Sequence, residues 1–292
     1  MGAYRIVSDA TLDLPQNVIE KYGIGVIPMH FTLDEQEYTH YPDERELSMT
    51  AFYDRLREGK MPATSQVTPA MYEDFFKPIL DEGCDIIYIA LSSGLSGTYQ
   101  SSRVAAEMLM DQYEDRRITC IDSVCASVGE GLLVYQAAVL QEQGMSYEEL
   151  AAWIEEHKRL VEHWFTVEDL FHLNRGGRLS AVGAVVGTAL KIKPVLSVDN
   201  EGKLYVASKI RGMKRSIEFL VSQLSERGID TKSQLVIVGH GDNPEMAEYL
   251  RDFLMENELV KDVLISGIGP VIGTHTGPGM VALTFMGSPR AR

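Results

Sequence analysis

The sequence has little cysteine, with only Cys84, Cys120 and Cys125 in 292 residues. No two of them stand at the C-x-x-C spacing of a zinc knuckle, and an odd number does not form a closed disulfide framework. Cys84 and Cys120 border apolar, strand-like runs, where cysteine usually serves as a small packing residue. The sequence therefore indicates neither a disulfide-rich nor a zinc-stabilised fold, and it predicts a reducing compartment.

Positive charge is also scarce, because 27 Lys and Arg face 42 Asp and Glu, which leaves a formal net charge of −15. Nucleic-acid binding requires a basic face, so we expect no nucleic-acid partner and no attraction to an anionic membrane surface. No apolar run approaches the ~20 residues of a membrane span, and the opening MGAYRIVSDA has no apolar signal core. We therefore predict a cytoplasmic protein without stable membrane insertion.

The sequence does contain enough apolar residues for packed domains, with 45% hydrophobic residues and a mean hydropathy of −0.08. Up to about residue 160, strand-like runs such as YRIVSD and DIIYIAL alternate with amphipathic helical stretches. This alternation predicts parallel strands with right-handed crossovers. Later residues follow another pattern, with a hairpin turn at Asn200-Glu201-Gly202. We predict an N-terminal α/β domain over 1–160 and a C-terminal α+β domain over 161–292.

The stretch LSSGLSGTYQSS, at 91–102, combines several hydroxyls with two glycines between a predicted strand and a predicted helix. The free N–H groups and the dipole of the helix N-terminus favour a negative charge at this turn. Ser96 adds a hydroxyl, and Gly97 lets a ligand approach the backbone closely. The turn therefore indicates a site for a carboxylate that needs no metal. Helix capping by serine is the simpler alternative.

Two catalytic alternatives are weaker. A serine hydrolase would use Ser96 as nucleophile and His275 as base. However, GLSGT departs from the G-x-S-x-G motif by one position, and no acid is apparent to orient His275. A nucleotide-dependent transferase would need a phosphate loop, and neither GxxxxGK[ST] nor GxGxxG occurs. The histidines lack metal-binding spacing, so we predict no metal site and no catalytic residue.

Several segments, in order along the whole chain, resemble the DegV family of bacterial fatty-acid-binding proteins. They are IVSDATLDLP (6–15), ATSQVTP (63–69), ALSSGLSGTYQSS (90–102), CIDSVCASVGEGLLV (120–134), LNRGGRLS (173–180), VGHGDNPE (238–245) and GPVIGTHTGPG (269–279). The ordered series is more specific than any single motif. The sequence departs from the family pattern at Ala10, where Ser is usual, and at Val67, where Pro is common.

The resemblance implies a long-chain fatty acid between the two domains, with its acyl chain in an apolar tunnel. It implies that Thr64 and Ser96 hydrogen-bond the carboxylate, with His275 nearby and Arg178 in support. It also implies a lipid-binding subunit without cofactor that presents its fatty acid to a separate fatty acid kinase, which forms the acyl phosphate. By the same resemblance, Arg211 is expected to take part in docking to that kinase.

Other features allow both a functional and a structural reading. The small-residue helix predicted at 181–190 is either a tunnel wall or a site of tight helix packing. His240 and Asp242 are either a catalytic pair or, more simply, a strand end with an N-cap turn. Arg175 and Arg178 either clamp a phosphate or bond a loop to the other domain. Candidate tunnel-wall residues, which are equally consistent with plain core, are Phe165, Leu170, Phe171, Ile192 and Val195.

Overall fold

The structure is a computed structural model and describes residues 3–179 and 192–290. The elements up to residue 160 are β1 (Tyr4–Asp9), α1 (Gln16–Tyr22), β2 (Gly25–Ile27), β3 (Met29–Leu33), β4 (Gln36–His40), α2 (Met49–Arg57), β5 (Ala63–Thr64), α3 (Pro69–Asp81), β6 (Asp85–Ala90), α4 (Thr98–Met110), β7 (Ile118–Asp122), α5 (Val128–Glu142) and α6 (Tyr147–His157). Those that follow are β8 (Val161–Thr166), α7 (Phe171–Arg175), β9 (Ile192–Val198), β10 (Leu204–Arg211), α8 (Met213–Arg227), β11 (Leu235–His240), α9 (Pro244–Glu256), β12 (Asp262–Gly267), α10 (Pro270–Thr276) and β13 (Val281–Met286). Single turns of 3-10 helix lie at Ala10–Leu12, Lys158–Leu160 and Thr231–Ser233.

The first sheet has the strand order β2-β1-β6-β7, and each of its pairings is parallel. Its strand β6 is buried at every position, as expected of a parallel strand covered on both faces. Ile86 and Tyr88 pack in one core with residues of α3 and α4. Ile87 and Ile89 pack in another core with α5 and α6. The parallel α/β domain predicted from the sequence is confirmed.

The second sheet has the order β10-β9-β8-β13-β11-β12 and is mixed, because β11 and β12 are parallel and the other pairings are antiparallel. Helices α8 and α9 cover one face, where Trp164 and Leu283 are buried. The opposite face carries Phe165 and Ala282 and packs against α5. This mixed sheet with separate helices confirms the predicted second domain.

Helix α5 contacts strands of both sheets and therefore joins the two domains into one hydrophobic core. Because α5 is covered by both sheets, its apolar residues Leu132, Leu133 and Ala137 are all fully buried. The change from the first sheet to the second falls between α6 and β8. The domain boundary at 160/161 stays a prediction, because α5 packs against both domains and contacts therefore cross that boundary.

The sequence did not predict a small antiparallel sheet with the order β4-β3-β5. Only an extended stretch at 24–33 was expected. Strand β4 is largely polar (QEYTH), and β5 has only two residues, so neither carries a strand pattern of its own. Long-range pairing creates these strands, as in the pair of Phe31 with Thr64. The consequence for the site is that Thr64 is held at a fixed register beside β3.

The short helices α7 and α10 were not predicted either. The sequence of α10, PVIGTHT, contains glycine and β-branched residues with low helix propensity. Tertiary packing stabilises it instead. A Cβ on Gly273 would lie 2.6 Å from the Tyr53 hydroxyl oxygen, and that hydroxyl donates to the Ile268 carbonyl just before the helix.

A buried carboxyl group fastens the two domains beside α10. Ser127 Oγ donates to Asp13 Oδ2 over 2.6 Å, and the Gly269 N–H donates to Asp13 Oδ1 over 2.8 Å. The Asp13 carbonyl accepts from Ser266 Oγ at 2.6 Å. Burial raises the pKa of the Asp13 carboxyl to about 7. Asp13 thus bonds the first domain to the residue that caps α10 in the second.

The guanidinium of Arg290 also bonds the two domains to each other. This residue lies near the end of the chain, and its side chain is buried. It donates to the carbonyls of Val124, Val161 and Asp199, and one of its Nη atoms lies 3.2 Å from Cys125 Sγ. These acceptors belong to both domains. Such a buried cation is tolerated because carbonyl oxygens satisfy its N–H groups.

The Asp13 contact predicts a specific pH dependence of stability. The folded-state pKa lies above the unfolded one, so the folded state binds more protons between about pH 4 and pH 7. Stability from this group is therefore present at the acid end and lost as the pH rises to 7, by at most ~4 kcal/mol. We expect Asp13→Asn, a mimic of the protonated form, to make this slope shallower in urea unfolding measured from pH 4.5 to 7.5. Identical slopes for the variant and the wild type would contradict the assignment.

Candidate ligand site

A cavity of about 280 Å³ lies between the two sheets, under α10 and the first turn of α5. This volume is near the lower end of the ~300–1,000 Å³ of small-molecule sites. Both domains contribute to its mainly apolar wall. The lining residues are Met29, Thr64, Ser65, Gln66, Leu91, Leu95, Ser96, Gly97, Ala126, Ser127, Val128, His163, Trp164, Phe165, Leu173, Arg178, Val198, Leu204, Val271, Ile272, His275, Thr276, Met280, Ala282 and Thr284.

The residues that the sequence singled out for a carboxylate all line this cavity: Thr64, Ser96, Gly97, Arg178 and His275. Four separate segments supply them, namely β5, the turn before α4, the loop after α7, and α10. Their roles toward a ligand remain predictions. The geometry does bring them to one polar end of the cavity.

Thr64 and His275 form a hydrogen bond, with Thr64 Oγ1 3.0 Å from His275 Nε2. Burial, followed by the positive charges of Arg178 and Arg175 and by His172, lowers the pKa of His275 to about 4, so the ring is neutral at pH 7. His275 Nδ1 is buried and has no partner among the described residues. An unpaired acceptor is tolerated better than an unpaired N–H. We therefore assign the proton to Nε2, which donates to Thr64 Oγ1 and leaves the Thr64 O–H free to donate.

The Ser96 hydroxyl is likewise held by hydrogen bonds that leave its proton available. Its Oγ lies 2.8 Å from the hydroxyl oxygen of Thr98 and accepts from the Thr98 N–H at 3.3 Å. Thr98 is fully buried, and Ser96 is the only partner of its hydroxyl among the described hydrogen bonds. When the Thr98 hydroxyl donates as well, both lone pairs of Ser96 are occupied. The Ser96 O–H is then left to donate into the cavity.

Gly97 precedes α4 at a place where a side chain would not fit. A Cβ built there would lie 2.3 Å from Gln66 Oε1, so the Gln66 side chain covers the Gly97 backbone. Gln66 and the neighbouring Ser65 are exposed to solvent although they line the cavity. The polar end therefore lies close to the protein surface.

Arg178 brings positive charge to the polar end. Its Nε donates to the Leu95 carbonyl over 3.1 Å, and its Nη1 donates to the Gly176 carbonyl over 2.6 Å. Across residues 3–179 and 192–290, no carboxylate forms an ion pair with it. Arg175 Nη2 donates to the Pro62 carbonyl over 2.8 Å. Both arginines thus bond segments of the other domain, and Arg178 keeps N–H groups available for an anion.

The rest of the cavity wall is mainly apolar. Met280, Ala282 and Thr284 point into the cavity from β13 and the residue before that strand, while His163 and Phe165 do so from β8. Of the five suggested wall residues, Phe165 is among the lining residues. The other four are not: Leu170 and Val195 are buried in core clusters, while Phe171 and Ile192 are 51% and 41% exposed. The helix predicted at 181–190 lies outside the described residues.

Several lining residues were missed by sequence reasoning. The period-two pattern of Met280, Ala282 and Thr284 was a readable signal for one face of a strand. Gln66 and Ser127 gave no such signal. Ser127 has a φ of 54°, unusual for a residue with a side chain, and its hydroxyl donates to Asp13.

The structure does not form the serine–histidine pair of a hydrolase. His275 Nε2 bonds Thr64, and Ser96 Oγ bonds Thr98, so no described contact joins Ser96 to His275. His240 Nδ1 accepts from the Asn243 N–H, and Asp242 pairs with Arg57, as expected of a strand end and its turn. No metal-ligand group of His, Cys, Asp and Glu occurs among the described residues.

Arg211 lies at the end of β10 and is exposed. Leu204, at the opposite end of the strand, lines the cavity. Seven residues of strand separate the two positions by ~23 Å. Arg211 is therefore not part of the polar end of the cavity, and its docking role remains a prediction.

Comparison with known proteins places these features in context. The family model described as an uncharacterised protein of the DegV family matches residues 3–288. A DegV domain-containing protein of Clostridium perfringens is 40% identical over 290 residues, which are 99% of each chain. A Thermus thermophilus DegV family protein, described as binding fatty acid, matches with a TM-score of 0.87 and 30% identity over 97% of this chain and 99% of that one. DegV of Bacillus subtilis, a fatty-acid-binding protein, has a TM-score of 0.84 and 30% identity over 99% of this chain and 100% of that one.

The fold and the cavity define a two-domain α/β protein that encloses a mainly apolar, ligand-sized space with one polar end. Because the family model and the relatives extend over nearly the whole chain, this protein belongs to the DegV family. Among the described helices, none is both long and apolar enough to cross a membrane.

The positive charge of Arg178 should have a measurable effect on the pKa of His275. We expect nitrogen NMR of the ligand-free protein to report a neutral His275 with the proton on Nε2 at pH 7. In Arg178→Gln the pKa of His275 should rise toward its usual value, because the charge of Arg178 is the largest cause of its lowering after burial. Arg211→Gln is the matched control and should leave it unchanged. A His275 that titrates near 6.5 in the wild type would contradict this electrostatic description.

Proposed function

We propose that this protein is a non-catalytic carrier of a long-chain fatty acid. The carboxylate lies at Thr64, Ser96, Gly97 and Arg178 with His275 behind Thr64, and the acyl chain fills the apolar part of the cavity. The observation that carries the proposal is that the hydroxyls of Thr64 and Ser96 and the guanidinium of Arg178 line one mainly apolar cavity. The fatty-acid binding described for DegV relatives supports it.

The energetics fit an amphiphilic acid. A carboxylate leaving water needs hydrogen bonds to replace its hydration. Each charge-assisted bond contributes ~1.5–3 kcal/mol, and Thr64, Ser96 and Arg178 supply donors for several. Each buried methylene adds ~0.8 kcal/mol, so a chain of ~16 carbons gains about 12 kcal/mol before ordering costs. Binding is thus dominated by the chain, while the polar end sets its direction.

We further propose that the carrier presents the carboxylate to a separate fatty acid kinase, which forms an acyl phosphate that phospholipid synthesis can consume. Exposed Ser65 and Gln66 beside the polar end support this step, because a reacting carboxylate must be near the surface. The carrier itself then needs no cofactor. A cytoplasmic location belongs to the same proposal, since the kinase would draw on cytoplasmic ATP.

The first experiment is organic extraction of the purified protein followed by mass spectrometry. We expect a long-chain fatty acid in near-stoichiometric amount. If none is bound and none is taken up from solution, the proposal fails. Labelling of Ser96 by a fluorophosphonate would then favour the hydrolase alternative.

The carboxylate donors predict graded losses of affinity. Thr64→Val and Ser96→Ala should each weaken binding of palmitate about 10- to 100-fold, because each removes one charge-assisted hydrogen bond. Ser93→Ala, in the same turn but outside the cavity lining, is the matched control and should bind as the wild type does. Isothermal titration calorimetry of delipidated protein measures all three. Equal affinity in Thr64→Val, Ser96→Ala and the wild type would contradict the assigned carboxylate position.

A docking role for Arg211 predicts a separation of two functions. Arg211→Glu should bind palmitate with unchanged affinity, because the residue is far from the cavity, and should lower acyl-phosphate formation with the kinase at least tenfold. Arg251→Glu, an exposed change on α9, serves as control. Loss of lipid binding in Arg211→Glu, or unimpaired coupling to the kinase, would argue against docking through this residue.

A further inference from the structure

We propose that the His163 side chain, seated against Gly129 and opposite Thr284, closes the far end of the cavity and limits the length of the acyl chain. This inference rests on the proposed function and adds to it a residue that determines which fatty acids fit. Nothing in the sequence patterns pointed to His163, which lacks metal-binding spacing and lies in no family-like segment.

The position of His163 follows from strand register. Ala282 pairs with Phe165, and Thr284 pairs with His163, on the sheet face that lines the cavity. Met280 also lines the cavity and follows Thr276, the last residue of α10, by four residues. From Met280 to Thr284 the strand advances ~13 Å. The His163–Thr284 pair is therefore the part of this wall that lies farthest from His275.

Contacts behind the ring show why the cavity ends there. A Cβ on Gly129 would lie 1.9 Å from His163 Nε2, so the ring fills the space above the first turn of α5. Thr284 Oγ1 lies 3.3 Å from the carbonyl of Val128 in the same turn. The helix and the sheet thus meet at these residues, and an acyl chain running along the sheet ends against the imidazole.

The hydrogen bonding of His163 suits contact with a methyl group. Its Nδ1–H donates to the Val161 carbonyl over 3.1 Å, and its Nε2 accepts from the Ala126 N–H at 3.4 Å. Burial, together with the charge of Arg290, holds the pKa of His163 well below its usual value, so the ring is neutral. Since both nitrogens are engaged, an apolar chain end deprives neither of a partner.

The opposite end of the cavity, in contrast, offers free hydrogen-bond donors and a positive charge. There Thr64 and Ser96 keep protons to donate and Arg178 keeps its charge. This difference orients the ligand, with its carboxylate toward His275 and its methyl end toward His163. The distance between the two ends then fixes the longest chain that binds without distortion.

The test is a series of saturated fatty acids, from laurate through myristate, palmitate and stearate to arachidate, titrated into delipidated protein. In the wild type, affinity should rise ~4-fold per methylene until the chain reaches His163, and then level off or fall. In His163→Ala the rise should continue to longer chains. His157→Ala, a surface histidine stacked on Trp153, is the matched control and should keep the wild-type limit.

Two further variants keep the result interpretable. Thr284→Ala removes bulk from the opposite strand and should also move the limit to longer chains, even if His163→Ala fails to fold. Adding Gly129→Ala to His163→Ala puts a methyl group where the imidazole stood and should move the limit back toward shorter chains. Fatty acids extracted from cells that express each variant should shift in the same directions.

The outcomes separate the two proposals. A wild type that binds none of the series overturns the fatty-acid function and this inference with it. A wild type that binds the series, with the same chain-length limit in His163→Ala and Thr284→Ala, overturns the role of His163 alone. A shared shift in both variants, reversed by Gly129→Ala, supports it.

Discussion

The packing of helix α5 between the two sheets is the constraint on which the rest of the structure depends. Its apolar residues complete the core of both domains. Its first turn closes one end of the cavity over Val128 and Gly129. Glu130, in the same turn, is fully buried within hydrogen-bonding distance of Ser8 and Thr11, and burial raises its pKa well above the usual value. The cavity lies between the two sheets that this helix contacts.

The hydrogen bonding of the polar groups differs between the two parts of the cavity wall. At one end, the Thr64 hydroxyl accepts from His275 and the Ser96 hydroxyl accepts from Thr98, and the proton of each hydroxyl is left to donate. At the other end, every polar atom described for His163 is already bonded. Buried polar groups normally find partners within the protein. The proposed orientation of the ligand, with an anionic head near Thr64 and an apolar tail near His163, rests on this difference.

The sequence predicted the parallel sheet well, because fully buried strands such as β6 are continuous apolar runs between amphipathic helices. It did not predict the sheet formed by β3, β4 and β5, since β4 is polar and β5 has two residues. The helix α10 was missed for a related reason. Its local sequence disfavours helix, and contacts with Phe52 and Tyr53 around Gly273 stabilise it.

The sequence by itself determined the fold class, the acidic net charge of −15, and the membership of Thr64, Ser96, Gly97, Arg178 and His275 in segments typical of one family. Tertiary structure alone decided that these side chains line one cavity, that the His275 ring is neutral and bonded to Thr64, and that the His163 ring lies on the same wall against Gly129. The physical reason is that a residue type fixes which groups can donate or ionise. Burial and long-range pairing fix which protons and charges those groups keep.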